Sequence, residues 1–351
     1  MRRRLALVIV VVALGLAWQP AIRPALQAAV LVGHLFSPSL LGTNVVAWVT
    51  PEPRVSEARS TFAGQEMRVT WWRPAWGDVH PAVMVVNGAT QVGNDNSATR
   101  DLGAALARAG YLVMLPEFPF LKEGRFDPAS AVQLDSAFAH LRDRPETRGR
   151  TVGAFGSSVG GGLLLSAAGR EPALARAGYL VVLGSYFDME TYLASLASEE
   201  QSIGGRIVPW RPDREVSERL PAAARAAVPA EERERLVQAM APRSYGEALG
   251  EIRALPTASR AAFATISPRT VWRAIEPPVY WIHDPEDAFE PLAEAEAAAA
   301  ARTAGTFSLM VPRLLMHAQP SEAAKAQGPL FVIGELWSLV AYTIGILRLA
   351  G

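Results

Sequence analysis

Gly156-Ser157-Ser158-Val159-Gly160 places a serine between two glycines, directly after the apolar run Val152–Phe155 and just ahead of the helix-forming stretch Leu163–Ala168. In a strand–tight turn–helix context, the central serine of Gly-x-Ser-x-Gly is pushed into a strained, exposed position above the strand end. Glycines at 156 and 160 leave room where the two backbones nearly touch. Ser158 is therefore the candidate nucleophile, although Gly/Ser turns also join strands to helices without any chemistry. A serine hydroxyl attacks a carbonyl only when a base takes its proton and an acid orients that base. After Ser158 the chain has two histidines, His283 and His317. His317 follows the last expected strand, in Leu314-Leu315-Met316-His317, and is the candidate base. His283 ends a strand and reads as structural, and His34, His80 and His140 precede the nucleophile and are given no role. The loop Asp284-Pro285-Glu286-Asp287-Ala288-Phe289-Glu290-Pro291 offers the acid. Asp287 leads by its position past the strand end, with Asp284, Glu286 and Glu290 as rivals, and such a loop is also what a solvated surface looks like. Acyl transfer further needs two N–H donors where negative charge develops. Val159 supplies one. The loop Asn87-Gly88-Ala89-Thr90 supplies the other, Gly88 allowing the tight turn and Ala89 or Thr90 offering the N–H, unless this is an ordinary Asn-Gly turn.

These residues need a scaffold that brings them to one place. Val55–Phe62 and Met67–Arg73, about Gly64, suggest a hairpin. Ala82–Val86 is a buried strand by its continuous apolar run. Asp101–Ala109 is an amphipathic helix stopped by Gly110, and Tyr111–Leu115 is the next strand. Asp127–Arg142 has apolar residues at helical spacing, and Tyr179–Leu183, Val279–Ile282 and Thr306–Val311 continue the strands, with a helix over Leu292–Arg302. The alternation predicts an α/β fold with a mostly parallel central sheet covered by helices on both faces and sites at the carboxyl ends of its strands. Ser158 falls at such an end. Residues 55–186 and 277–351 form this core. Residues 187–276, rich in Ala, Arg and Glu and interrupted by Pro209, Pro212, Pro221 and Pro229, form an insertion of short helices, a lid.

Composition narrows the classes. Acids and bases balance at 34 each with no charge block, which gives no basic surface for nucleic acid. Cysteine is absent, which removes disulfides, a thiol nucleophile and thiolate metal sites without fixing a compartment. At the N-terminus, Arg2-Arg3-Arg4 precedes the uncharged apolar run Leu5–Trp18. A basic segment followed by an apolar stretch of about 7–15 residues fits an export signal, shorter than the ~20 residues needed to span comfortably. Residues 1–20 are read as a signal peptide or membrane anchor, which places the remainder outside the cytoplasm, secreted or held at the membrane. Residues 21–54 are a linker or a packed N-terminal segment. The apolar stretch Leu330–Leu349 is a closing helix packed on the sheet, the other reading being a helix that faces lipid.

With Gly110-Tyr111-Leu112-Val113, Pro116-Glu117-Phe118-Pro119, Asp135, the elbow ending in Gly160-Gly161, the loop His283–Pro291 and His317, the chain resembles the α/β-hydrolase superfamily over roughly residues 66–320. It is nearest the dienelactone-hydrolase-like and prolyl-oligopeptidase-like serine esterases. The order serine, acid, histidine matches that superfamily. The resemblance implies Ser158, Asp287 and His317 as a triad, and no metal and no organic cofactor; the expected substrate is a small-molecule or lipid-like ester, the lipid-like option suggested by the apolar N-terminus and the lid. Asn87-Gly88 stands where many members have His-Gly, Glu117 where many have Asp, and Ser158 where dienelactone hydrolases have cysteine, so that particular activity is not expected. A peptidase or acyltransferase on the same fold, and a non-catalytic membrane-anchored binding protein, are the competing readings.

Overall fold

The computed structural model describes residues 22–127, 129–241, 243–302, 306–317, 319–320 and 327–350; the apolar run Leu5–Trp18 lies outside them. Eight strands form the central sheet: β1 (Arg54–Phe62), β2 (Gln65–Arg73), β3 (Ala82–Val86), β4 (Leu112–Pro116), β5 (Val152–Ser157), β6 (Leu180–Leu183), β9 (Val279–Ile282) and β10 (Phe307–Met310). Their spatial order is β1-β2-β4-β3-β5-β6-β9-β10. The β1–β2 hairpin runs antiparallel to its neighbour β4, and every pairing from β4 to β10 is parallel. The hairpin turns at Ala63 and Gly64, both with positive φ (48° and 82°), the two-residue geometry whose twist matches the strands it joins.

The period of two along β3 sorts its side chains into two layers. Ala82, Met84 and Val86 enter a core with helices α4 (Ser130–Arg142), α5 (Ser158–Ala168) and α11 (Leu292–Ala301). Val83 and Val85 face the opposite way, toward α1 (Arg23–Leu41), α3 (Ser97–Arg108) and α12 (Pro329–Ala350). The chain has the doubly covered, mostly parallel sheet that its alternating elements predict.

Several boundaries differ from the sequence reading, each for a local reason. Residues 23–41 are a helix, with Pro24 in its first turn and Gly42 closing it at φ 70°, the proline-first, glycine-last asymmetry of helices. A five-residue helix α2 (Val45–Val49) follows. Gln27 Nε2 donates to Ala109 O at 2.7 Å and Arg108 Nη1 to Thr50 O at 2.8 Å, tying this segment to α3. Helix α3 starts at Ser97, four residues before Asp101, because the Asn96 side chain accepts the Thr99 N–H and caps it.

The insertion holds α6 (Met189–Ser198), α7 (Arg214–Ala227), α8 (Arg233–Ala239), α9 (Tyr245–Arg253) and α10 (Thr257–Ile266), together with a hairpin of β7 (Glu200–Ile203) and β8 (Arg206–Pro209). The hairpin turns on Gly204-Gly205 at φ 56° and 80°. Pro221 does not break the insertion as expected. It lies inside α7, whose Val216, Leu220 and Ala224 bury one face at four-residue spacing. At the root of the insertion, buried Glu294 on α11 accepts the N–H groups of Phe187 (2.9 Å) and Asp188 (2.8 Å) and the Thr191 hydroxyl (2.6 Å).

Helix α12 packs on the sheet, as expected of a closing helix, through its C-terminal half. Its Tyr342 hydroxyl lies 2.7 Å from Ser308 O and 3.2 Å from Trp281 O at the sheet. Toward its N-terminal end, Leu330, Ile333 and Trp337 are exposed to 84, 61 and 73 %.

Candidate active site

The candidate residues converge on the carboxyl edge of the parallel strands. Ser158 begins α5 directly after β5, with φ 51°. A left-handed backbone at a residue with a side chain costs on the order of 1–3 kcal/mol and persists only where its surroundings enforce it. The enforcement is visible at the glycines: a Cβ on Gly156 would lie 2.6 Å from Gly161 Cα, and one on Gly160 only 2.0 Å from Asn87 O. Asn87 opens the loop after β3, so that loop is pressed directly against the elbow.

The loop's own N–H groups are partly committed. Gly88 N–H donates to Ser157 Oγ at 3.1 Å, so of the loop's expected donors Ala89 and Thr90, neither is the group engaged there. Val159 lies in the first turn of α5, where N–H groups have no partner within the helix. The loop is anchored from below. Asn94 donates its backbone N–H to Glu117 Oε2 at 3.0 Å and its side-chain amide to Leu115 O at 2.8 Å, while Arg68 pairs with both Glu117 (2.7 Å) and Asp95 (2.9 Å). Burial acts to raise the Glu117 carboxyl, but the Asn94 N–H and the Arg68 guanidinium hold it below its ordinary range.

Asp287 is buried in the turn after β9. Its Oδ1 accepts the N–H groups of Phe289 (2.7 Å) and Glu290 (3.1 Å), and its Oδ2 lies 2.9 Å from His317 Nδ1. Burial works to raise this carboxyl, but the charge and hydrogen bond of His317 hold it below the usual value. His317 follows the two-residue strand β11 (Leu315–Met316), has φ 55° and stacks on the Phe289 ring at 4.6 Å between centroids. Burial alone would lower its pKa; Asp287 and Glu290 overcome that and raise it to about 9. Beneath the pair sits Gly184, at φ 49°, where a Cβ would lie 2.7 Å from Asp287 Oδ2 and 3.0 Å from His317 Nδ1. Sequence reasoning missed this residue; its only signal was a glycine directly after a buried strand.

His283 is fully buried. Trp281 Nε1 donates to its Nδ1 at 3.3 Å and its Nε2 donates to Glu290 O at 2.9 Å, so it supports the acid loop. The insertion holds that loop from the other side, through Trp210 Nε1 to Asp287 O (2.7 Å), Asp213 N–H to Ala288 O (2.7 Å) and Tyr192 hydroxyl to Phe289 O (2.5 Å).

Asp287 and His317 are thus joined, but among the described residues no hydrogen bond joins Ser158 to His317. The Ser158 hydroxyl instead donates to Glu290 Oε1 at 2.5 Å, and Glu290 Oε2 lies 3.4 Å from His317 Nδ1. Asp287, Glu290 and His317 bring their donor atoms within 4.8 Å of one another. Within this group the imidazole is hydrogen-bonded to Asp287. Catalytic bonds of this kind often tighten only when substrate is present.

A strained serine at an elbow, an Asp–His pair across from it and a doubly covered parallel sheet define the α/β-hydrolase fold. No protein-family model matches the chain, and no curated protein does. Among solved structures it is similar to 2,6-dihydroxy-pseudo-oxynicotine hydrolase (16 % identity, 83 % of this chain and 68 % of the other, TM-score 0.53). It is similar also to brefeldin A esterase, a bacterial homologue of human hormone-sensitive lipase (18 % identity, 85 and 77 % covered, TM-score 0.51). Pyrococcus horikoshii acylaminoacyl peptidase matches at 12 % identity and TM-score 0.51, the match covering 80 % of this chain and 39 % of the peptidase. At these identities the likeness is one of fold.

Proposed function

We propose that the protein is a serine hydrolase that cleaves ester bonds through an acyl-enzyme, with Ser158 as nucleophile, His317 as base and Asp287 as the orienting acid. The observation that carries this reading is the meeting of a left-handed Ser158 with a buried Asp287–His317 pair at 2.9 Å on one edge of the sheet, from chain segments far apart in sequence. In the first step Oγ forms a bond to the substrate carbonyl carbon as its proton passes to His317, and the carbonyl electron pair moves to oxygen beside the N–H groups of Val159 and Ala89. Asp287 stabilises the imidazolium. The tetrahedral species then collapses, His317 protonates the leaving group, and water repeats the sequence to free the acid. The substrate is a small-molecule or lipid-like ester, and the insertion, whose Tyr192 and Trp210 hold the acid loop, sets its shape.

We further propose that the protein lies outside the cytoplasm, held at a membrane by its N-terminal segment. Support comes from the basic-then-apolar order of residues 2–18, from exposed Trp48 on α2, and from the exposed apolar end of α12. Tryptophan is favoured at such interfaces. The reading as a peptidase is tested beside the esterase, because the same triad serves both. Turnover of p-nitrophenyl esters and of a matched anilide by wild type, Ser158→Ala and His317→Asn decides the matter. The account expects ester turnover that falls by at least about a thousandfold in each variant. Equal turnover in Ser158→Ala would rule out Ser158 as the nucleophile, and a folded wild type inactive on every ester and amide would favour a binding protein.

A further inference from the structure

Glu290 has no part in the mechanism above, yet it is the side chain that touches the nucleophile. It is 1 % exposed. Its backbone is pinned on both sides, N–H to Asp287 Oδ1 at 3.1 Å and C=O to His283 Nε2 at 2.9 Å, which fixes the base of the side chain at the site. Oε1 takes the Ser158 hydroxyl at 2.5 Å, while buried Oε2 has no hydrogen-bond partner and faces His317 Nδ1 at 3.4 Å. An apolar side chain of similar size would fill this space without leaving a buried polar atom unpaired, which is costly. The carboxyl thus touches both the Ser158 hydroxyl and the His317 ring.

We propose that Glu290 is a fourth member of the catalytic group, a positioning residue whose carboxyl bridges the Ser158 hydroxyl and the His317 imidazole and sets the pH range in which that hydroxyl is deprotonated. The inference rests on Ser158 being the nucleophile. Two arrangements of the site hold the same number of protons. In one, Glu290 is ionised, accepts the Ser158 O–H, and stabilises an imidazolium that cannot act as a base. In the other, the carboxyl carries the proton and the neutral imidazole is free to take the one from Oγ as the Oγ–carbon bond forms. Loss of the shared proton at higher pH leaves His317 neutral in every molecule, so acylation rises with pH.

The groups around the pair are Asp287, His283, Tyr186, Tyr192, Asp284 and Glu294, and all of them are common to wild type and the Glu290 variants. Asp287 stays ionised, held low by His317. Burial keeps His283 below its ordinary value and Tyr186 and Tyr192 above theirs. Burial raises Glu294, which accepts from Phe187, Asp188 and Thr191, to about 7 and Asp284, whose charge acts on His317, to about 6, so both add their own steps below that of the pair. Burial, with the charge of Asp287, raises Glu290 itself to about 8 despite the pull of His317 and Ser158.

The test is the second-order rate of fluorophosphonate labelling of the full chain between pH 5 and 10, for wild type, Glu290→Gln and Glu290→Leu. Removing a negative charge 3.4 Å from Nδ1 should lower the midpoint of the acid limb by about one pH unit or more in either variant. The plateau should fall as well, since Oγ is held less firmly. Whichever variant folds is sufficient. Midpoints that coincide with wild type overturn the inference and leave Ser158 as nucleophile. A folded wild type that labels at no pH removes the nucleophile and this inference with it.

Discussion

Gly160→Ala should separate catalysis from stability. The added Cβ would stand 2.0 Å from Asn87 O, whereas real Cβ contacts below 3.0 Å essentially do not occur, so the strand β3 exit and the elbow must part by about 1 Å (3.0 − 2.0). The atom struck is backbone, so no side-chain rotation relieves it. Overpacking of this kind costs about 1–3 kcal/mol, a drop of a few degrees in Tm for a chain of this size. The catalytic loss is larger. The loop displaced is the one carrying Gly88 and Ala89, and Gly88 already stands so near that a Cβ there would lie 2.9 Å from Ser158 Cβ. A misplacement of about 1 Å between oxyanion donors and nucleophile costs on the order of a hundredfold in rate. The control is Gly162→Ala, two residues on in α5, whose Cβ would strike the Tyr186 ring at 2.4 Å and so strain the core while sparing the loop. Differential scanning fluorimetry and kcat/KM on one ester, measured on both variants, give the comparison. Gly160→Ala with wild-type kcat/KM, or with a loss no greater than that of Gly162→Ala at equal Tm, would refute the placement of the donor loop.

Asp287→Asn should keep the fold but lower kcat by about a thousandfold or more, and, by removing the charge 2.9 Å from Nδ1, should move the acid limb of the rate profile to lower pH; an unchanged rate would transfer the acid's role to a neighbour. Glu290→Leu should gain stability relative to wild type as pH rises. Burial and the charge of Asp287 raise the folded carboxyl above its ordinary 4.5, so it holds its proton where the unfolded chain has lost it, and its contribution weakens the fold as pH rises above 4.5, with His317 offsetting part of that. Urea midpoints at pH 5 and pH 9 read the difference, and a pH-independent gap between variant and wild type would contradict it. Ile333→Glu with Trp337→Glu should reduce flotation of the full chain with anionic vesicles several-fold while leaving ester turnover intact; unchanged flotation would place the lipid contact elsewhere.

The parts of the site that were legible in the sequence are those fixed by local sterics. Gly156, Ser158 and Gly160 announce the elbow because only glycine tolerates a backbone neighbour at 2.0–2.6 Å. Strands β3 and β4 stand out because both faces of each are buried, and no polar residue interrupts them. What stayed hidden depends on which strands become neighbours. Ser158 and Glu290 are 132 residues apart and meet only because β6 alone separates β5 from β9; no periodicity marks that contact. Helix α1 is hard to see in the sequence because prolines and a glycine are scattered through an apolar stretch, though Pro24 and Gly42 sit at its two ends. Gly204-Gly205, between Ile203 and Arg206-Ile207-Val208, carried a hairpin signal that the surrounding helical composition masked. The engagement of Gly88 N–H by Ser157 Oγ follows from how closely the loop approaches the elbow, which spacing along the chain does not encode.

The most direct measurement is the site of covalent attachment after fluorophosphonate treatment, read by peptide mass spectrometry on the full-length protein and on Ser158→Ala. Such a probe traps only a serine activated by a working base. The account predicts a single adduct on the peptide containing Ser158, absent from the variant. An adduct on another residue, or a folded wild type that takes up none, would contradict it.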